Sequence, residues 1–137
     1  MLQRVHMTIG LLAVLVFVIS GQIMAHHKPA MHELGADVRM MYLSRHVYLL
    51  GAALVNLILG IYLRLKPRGP MRVLQQIGSV LIVLSPFLLL SAFLSEPDLG
   101  LAGRSWKSLF GIVTLFGGTI FHWISAFGSK ESKEISG

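Results

Sequence analysis

Four stretches of the chain consist mostly of apolar side chains, and short polar segments separate them. The second stretch, about 43–63, has no charged residue beyond its first turn. A helix rises ~1.5 Å per residue, so this stretch is long enough to cross a hydrocarbon layer about 30 Å thick. Comparable stretches follow at about 73–94 and 108–128. The pattern therefore predicts a membrane domain of three transmembrane helices within residues 42–128.

The first apolar stretch, within residues 1–25, fits two interpretations. Its apolar centre is short and follows Arg4, as in a secretory signal peptide, and Ala25 is small enough for the cleavage position. Extended to Met24, the run is ~17 residues long, near the lower limit for a membrane span. We favour a retained helix, because Ile23 is bulky for its place before the cleavage site. The fold class is then an all-α integral membrane protein of four antiparallel helices, or three if the leader is cleaved.

Two further segments are polar. Residues 26–41 join the first two apolar stretches, and residues 129–137 form a short charged tail that we expect on the cytoplasmic side. Pro29 is compatible with the first turn of a helix, whereas Gly35 weakens one. The polar composition of residues 26–41, with Pro29 near their start, therefore predicts a short interfacial helix that leads into the second span.

Composition supports membrane insertion and argues against nucleic-acid binding. Hydrophobic residues make up 54% of the chain and charged residues 13%, about half the charged share of a soluble domain. The absence of cysteine excludes disulfides, Fe–S clusters and thiolate zinc sites. The net charge is +6, but the cations cluster at the ends of the spans. That distribution indicates anionic lipid and membrane topology as its causes, not nucleic acid.

The distribution of Lys and Arg predicts the topology. Short loops rich in these residues stay on the cytoplasmic side of the inner membrane, and the segment 64–72 carries four of them. Both termini are then cytoplasmic, in the inner (plasma) membrane. The cytoplasmic side would carry seven cations (Arg4, Arg64, Lys66, Arg68, Arg72, Lys130, Lys133) and the other side five (Lys28, Arg39, Arg45, Arg104, Lys107).

Small and polar residues mark the faces on which these helices should pack. At ~100° per residue, Asn56 and Gly60 share one arc of the second span, and Gly111 and Gly118 share one arc of the fourth. Glycine lets two backbones approach closely, and an intramembrane asparagine needs an interhelical hydrogen-bond partner. Pro86, within the third span, should release a backbone carbonyl one turn earlier.

The histidines within the spans are candidate haem ligands, because an ionisable side chain in a bilayer is costly. His122 lies on the packing face of the fourth span. Haem b would need a second histidine at the same depth. His46 lies roughly 16 Å away along the membrane normal, so the pair would be His122 and His6. The simpler interpretation is a neutral His122 that hydrogen bonds Ser125, a backbone carbonyl or Asn56.

A second cluster of candidate ligands lies in the polar segment after the first stretch. Thioether and imidazole groups together suit Cu(I). However, His27 and His32 are five positions apart, which places them on different sides of a helix. The simpler interpretation is a solvated juxtamembrane segment whose methionines dip into lipid. The copper hypothesis rests on His26, His27, Met31 and His32, with Met24 beside them.

The chain contains no P-loop, no G-x-S-x-G elbow, no H-E-x-x-H helix and no EF-hand. We therefore predict a small polytopic inner-membrane protein that acts as an accessory, assembly or scaffold component without catalysis of its own. Its partners would be the lipid bilayer and another membrane subunit or a second copy. The alternative is a haem- or copper-handling protein. A transporter or channel subunit ranks third, because the spans show neither a carboxylate well inside the bilayer nor an internal repeat.

Overall fold

A computed structural model describes residues 1–97 and 106–127 of the chain. It contains four helices: α1 (Leu2–Ala25), α2 (Ala36–Tyr62), α3 (Pro70–Ser95) and α4 (Trp106–Phe127). Each helix is long and apolar enough to cross a membrane. The described residues form no strand, so the prediction of an all-α chain with four long apolar helices is confirmed. Gly128, the tail 129–137 and Arg104 lie outside the described residues.

The helices form two antiparallel pairs. The first pair is α1 with α2 and the second is α3 with α4; contacts between α2 and α3 join the two pairs. Lighter contacts link α1 to α3 and α2 to α4, whereas within the described chain the α1 and α4 backbones do not meet. Helices α2 and α3 therefore form the centre of the bundle, with α1 and α4 outside them.

Glycines bring the helices of each pair close together. A Cβ atom on Gly60 would lie 2.8 Å from the backbone nitrogen and Cα of Met7 in α1. A Cβ atom on Gly118 would lie 2.6 Å from the carbonyl oxygen of Gly78 in α3. Gly111 is also closed in, with Leu89 of α3 at 2.7 Å from such an atom. These contacts between backbones depend on the missing side chains.

Inward and outward faces differ sharply in their side chains. Outward faces carry large apolar groups, and Phe116 and Trp123 of α4 are each 63% exposed. Such a surface would be costly in water and favourable in lipid. The buried apolar core lies mainly between the central helices and is formed by Tyr42, Leu49, Ala52, Ile82, Leu89, Phe93 and Leu115.

The connection between α1 and α2 differs from the prediction. The expected short interfacial helix is not found, because residues 26–35 form turns and α2 already begins at Ala36. The Glu33 backbone donates to the carbonyl of Ala30, and the Glu33 carboxylate accepts the N–H of Ala30. This local turn, followed by the extended Gly35, replaces the helix that Pro29 was expected to open.

The two ends of the bundle differ in charge, and we name them for the descriptions below. The basic end contains the start of α1, the connection 63–69 and the end of α4. The far end contains the connection 26–35, the end of α3 and the start of α4. Gly69 closes the basic connection with φ of 117°, a conformation that favours glycine, and Pro70 opens α3 in its first turn.

Candidate functional site

A proline inside α3 creates the first part of the site. Pro86 has no backbone N–H, so the carbonyl of Ile82 loses its helical partner. That carbonyl instead accepts a hydrogen bond from Asn56 Nδ2 of α2 at 3.1 Å and another from Ser85 Oγ at 2.9 Å. The freed carbonyl of Ile82 thus takes part in a hydrogen bond that joins the two central helices.

The same asparagine reaches α1. Asn56 Nδ2 also donates to the carbonyl of Ala52 at 2.9 Å. Because both Ala52 and Ile82 offer only carbonyl oxygens, the amide NH₂ must face them, and Oδ1 must face His6 Nδ1, 2.9 Å away. Oδ1 only accepts, so His6 carries its hydrogen on Nδ1. The fully buried Asn56 therefore joins three helices.

The other ring nitrogen of His6 has no protein partner. His6 is completely buried, and its Nε2 is the one buried side-chain N or O atom among residues 1–97 and 106–127 without a hydrogen bond. An unsatisfied buried acceptor costs about 1–3 kcal/mol. Metal-binding histidines commonly donate their second ring N–H to an oxygen acceptor, as His6 does to Asn56. His6 therefore joins α1 to α2 through Nδ1, while its Nε2 is free, as in a histidine that is oriented to bind a metal.

His122 has a different partner from those expected. Its Nε2 lies 3.0 Å from Ser79 Oγ of α3, whereas Ser125 donates to the backbone carbonyl of His122 instead of its ring. The bond between His6 and Asn56 and the bond between Ser79 and His122 lie near one another on α3, because Asn56 also bonds the carbonyl of Ile82, three residues after Ser79. We call the group His6, Asn56, Ser79 and His122 the polar node, to which all four helices contribute.

The polar node fits a haem only in part. The His6 Nε2 lone pair is unengaged, but the corresponding nitrogen of His122 already shares a hydrogen bond with Ser79. Iron would thus find one ready imidazole ligand, and the second would require the Ser79 bond to break. His46 offers no substitute, since it lies against Ser20 and Phe17, ten positions before Asn56 on α2 and therefore about 15 Å from the level of His6.

The candidate copper ligands in the connection after α1 make separate local contacts. His26 Nδ1 donates to the carbonyl of Gln22, and His27 Nδ1 donates to that of Pro29. His32 is exposed, with its Nε2 3.9 Å from the Glu33 carboxylate. No group of three or more His, Cys, Asp or Glu residues suited to a metal occurs in the described chain.

The methionines beside these histidines face inward. Met24 and Met31 are partly buried and pack against the apolar core. Their thioethers are thus used in packing, where flexible methionine side chains fill irregular gaps. The structure places His26, His27, Met31 and His32 near one another along the chain without building a shared pocket from the histidines.

The far end contains an ion pair that the sequence analysis missed. Arg45 of α2 donates through Nε and Nη2 to Glu96 Oε2, at 3.1 and 2.9 Å, and both side chains are buried. Glu96 Oε1 accepts the backbone N–H groups of Lys107 and Ser108 at the start of α4. We call this group, Arg45, Glu96, Lys107 and Ser108, the clamp. Arg45 and Glu96 lie 51 positions apart, so no local pattern could have revealed it.

The clamp keeps the carboxylate ionised. Burial alone would raise the pKa of Glu96, but hydrogen bonds from Ser108 and the charge and hydrogen bonds of Arg45 outweigh it and lower the pKa below its usual value. The start of α4 adds to this effect, because helix N-termini favour negative charge. One carboxylate thus ties the ends of α2, α3 and α4.

Comparison with known proteins gives no relative. No protein-family model matches the chain, and neither the curated proteins nor the solved structures include a significant match.

Proposed function

We propose that this chain is a multi-pass protein of the inner membrane, with both termini cytoplasmic, that serves as an accessory, assembly or scaffold component. Four helices of sufficient length and apolarity support the membrane location. The exposed apolar faces of these helices also support it, because lipid would cover them. The cations at the basic end support the orientation, since short cationic loops remain cytoplasmic.

The proposal of a non-catalytic role rests on one observation: the buried side chains of Asn56 and Glu96 are used in bonds between helices. Asn56 bonds backbone and side-chain groups of three helices. Glu96 is saturated by Arg45 and the start of α4. Groups committed in this way hold helices together, whereas a catalytic site needs a nucleophile, acid or base directed at open space.

Retention of α1 is part of this proposal. His6 of α1 donates the hydrogen bond that Asn56 Oδ1 accepts. Gly60 has no side chain, which lets the α1 backbone approach at Met7. Cleavage after Ala25 would leave Asn56 and Gly60 facing lipid. We therefore expect the intact mass of the purified protein to include residues 1–25. A mass that begins at His26 would contradict retention.

Purification from native membranes in a mild detergent tests the accessory role. We expect a stoichiometric second membrane protein, or a second copy of this chain, to remain bound, and the sample to be colourless. A monomer that carries stoichiometric haem or copper would contradict the proposal. The measurements are mass photometry or native mass spectrometry, a visible absorption spectrum and metal analysis on the same sample.

A second candidate function, haem or metal binding, is favoured by one observation, the unpartnered Nε2 of the buried His6. If it is correct, the absorption band or the bound metal should disappear in His6→Ala and persist in His46→Ala. The second variant alters His46, a half-buried histidine that also lies at the α1–α2 interface, so it is a matched control.

A further inference from the structure

A cleft at the basic end contains part of His122. The cleft has a volume of about 320 Å³ and lies between the ends of α2 and α4, above the start of α3. This volume is at the lower end of the range for small-molecule sites, roughly 300–1,000 Å³. Leu59, Tyr62 and Leu63 form one wall. The cleft therefore combines an apolar wall with an imidazole of the polar node.

The connection beside the cleft is held in place by a buried side chain. Gln75, which is 5% exposed, donates through Nε2 to the carbonyl of Arg64 at 3.3 Å. Its Oε1 accepts the backbone N–H of Lys66 at 2.9 Å. The cleft is therefore bounded by a fixed part of the 63–69 connection.

The imidazole of His122 presents its Nδ1 edge to the cleft. The opposite edge packs on α3, because Cδ2 lies 3.1 Å from the place of a Cβ on Gly78 and Nε2 lies 3.0 Å from Ser79 Oγ. Within the described residues Nδ1 makes no hydrogen bond. It is not fully buried either, since His6 Nε2 is the one fully buried side-chain N or O atom there without a partner. A ligand in the cleft can therefore reach Nδ1.

The hydroxyl behind His122 lets Nδ1 either donate or accept. Ser85 on the same helix donates its hydrogen to a backbone carbonyl, whereas the contact of Ser79 Oγ within the described chain is His122 Nε2. When Ser79 donates to Nε2, Nδ1 carries the ring hydrogen; when Ser79 accepts from Nε2, Nδ1 offers a lone pair. A neutral His122 can thus pair with a carbonyl oxygen or with a hydroxyl group.

The position of the cleft favours a lipophilic ligand. His122 lies five residues before the end of α4, roughly 8 Å along the helix. Helices α2 and α4 touch only lightly, so a groove leads from the cleft toward their outward apolar faces. A matching ligand has an apolar body and an oxygen that both accepts and donates in its different forms.

We propose that this cleft binds a lipophilic quinone and the corresponding quinol, with one ring oxygen hydrogen-bonded to His122 Nδ1. A quinone oxygen accepts and a quinol hydroxyl donates, which matches the two arrangements of the Ser79–His122 pair. Tyr62 covers the ring, and the hydrocarbon tail follows the groove between α2 and α4. The inference goes beyond the accessory role and rests on the proposed membrane location, because long-tailed quinones dissolve in the bilayer.

Titration of the purified full-length protein in a nonionic detergent with decylubiquinone tests the proposal, with native mass spectrometry to count bound molecules. We expect the oxidised and reduced forms to bind with similar affinity. His122→Phe keeps a ring but removes Nδ1, and should weaken both roughly threefold to tenfold, the effect of one hydrogen bond. His46→Phe is the matched control, because His46 also pairs with a serine, Ser20, and does not line the cleft. Equal weakening by the two substitutions would overturn the proposal.

A second pair of variants leaves the polar node intact. Tyr62 lines the cleft and is 75% exposed, so Tyr62→Ala should weaken decylubiquinone binding while the unfolding midpoint stays close to wild type. Tyr48→Ala is the control, because Tyr48 is another exposed tyrosine of α2 that does not line the cleft. Unchanged binding by Tyr62→Ala would contradict the placement of the ring.

A ligand without oxygen separates a quinone site from a general apolar groove. Decylbenzene carries the same alkyl chain on a ring that cannot form a hydrogen bond with Nδ1. We expect it to bind much more weakly than decylubiquinone and to be insensitive to His122→Phe. Equal binding of the two compounds would overturn the quinone site.

The failure of this inference can be separated from the failure of the proposed location. Alkaline carbonate extraction of cell membranes measures insertion directly. Release of the protein into the supernatant would contradict the membrane proposal itself. Retention in the pellet, together with equal binding of decylbenzene and decylubiquinone by the purified protein, would overturn the quinone site alone.

Discussion

The two ends of the bundle use polar groups in opposite ways. At the far end, the clamp pairs a buried cation with a buried anion and satisfies both Glu96 oxygens. Toward the basic end, the polar node uses neutral groups and leaves His6 Nε2 without a partner. The clamp thus leaves no Glu96 oxygen unpaired, whereas the polar node leaves one buried imidazole nitrogen unpaired. We therefore expect the far end to hold the helices together and any ligand to bind at the polar node, toward the basic end.

The largest effect should come from breaking the clamp on one side. Glu96→Gln leaves the buried Arg45 guanidinium without its anion, and such a loss costs about 3–5 kcal/mol. We expect a marked fall in the midpoint of thermal unfolding in detergent, measured by circular dichroism. Glu33→Gln, at an exposed carboxylate of the same end, should change little. Equal changes in the unfolding midpoint of the two variants would show that the clamp does not stabilise the bundle.

The next effect concerns the close contact between α3 and α4. Gly118→Ile would place a branched side chain where a Cβ alone would lie 2.6 Å from the Gly78 carbonyl oxygen. Overpacking of this kind costs about 1–3 kcal/mol. The outward-facing control is Phe116→Leu, which should leave the unfolding midpoint nearly unchanged. Equal tolerance at the two positions would contradict the packing of α4 on α3.

Substitutions of Asn56 and of His6 in the polar node should each lower the free energy of unfolding by a smaller amount, and the two amounts should differ. Asn56→Leu removes the donor of the freed Ile82 carbonyl and strands His6 Nδ1, so we expect a loss of about 1–2 kcal/mol. His6→Leu removes the unsatisfied Nε2 at the same time as the bond, and should cost less than Asn56→Leu. Unfolding midpoints of both variants give the comparison. A larger loss from His6→Leu would mean that Nε2 has a stabilising occupant, which favours the ligand hypothesis.

The smallest effect should appear as a pH dependence of the far end. The pKa of Glu96 is lowered from its usual value of 4.5, so its contribution is fully present above that value. It is lost as the pH falls through the lower pKa of the folded state. Unfolding midpoints measured from neutral pH downward should fall less for Glu96→Gln than for wild type. Parallel curves would contradict ionisation of Glu96 in the clamp.

The sequence was sufficient to predict the helices and the faces on which small residues lie. Rotation by ~100° per residue placed Gly111 and Gly118 on one arc of α4, and both are buried. It could not indicate that the opposing surface is α3, because an arc identifies a face without its partner. The role of Pro86 was predictable from the missing N–H alone, but the identity of Asn56 as the donor required tertiary structure.

The clamp and the bonds of Gln75 could not be predicted from the sequence for a related reason. Arg45 and Glu96 appear in the sequence as ordinary charges at the ends of spans, and their pairing depends on how α2 and α3 meet. Gln75 could be assigned to the packing stripe of α3, but its two bonds to the 63–69 connection depend on the path of that turn. Local patterns were also misleading at Pro29, where a turn closed by Glu33 replaces the expected helix.

Cysteine accessibility tests the central claim, a membrane-inserted bundle with its basic end in the cytoplasm, most directly. The chain has no cysteine, so Arg68→Cys and Ser95→Cys each introduce a single label site, at the basic end and the far end. In intact cells, a membrane-impermeant maleimide should label Ser95→Cys and leave Arg68→Cys unlabelled until the membrane is opened. Labelling of Arg68→Cys in intact cells, with Ser95→Cys protected, would contradict the account.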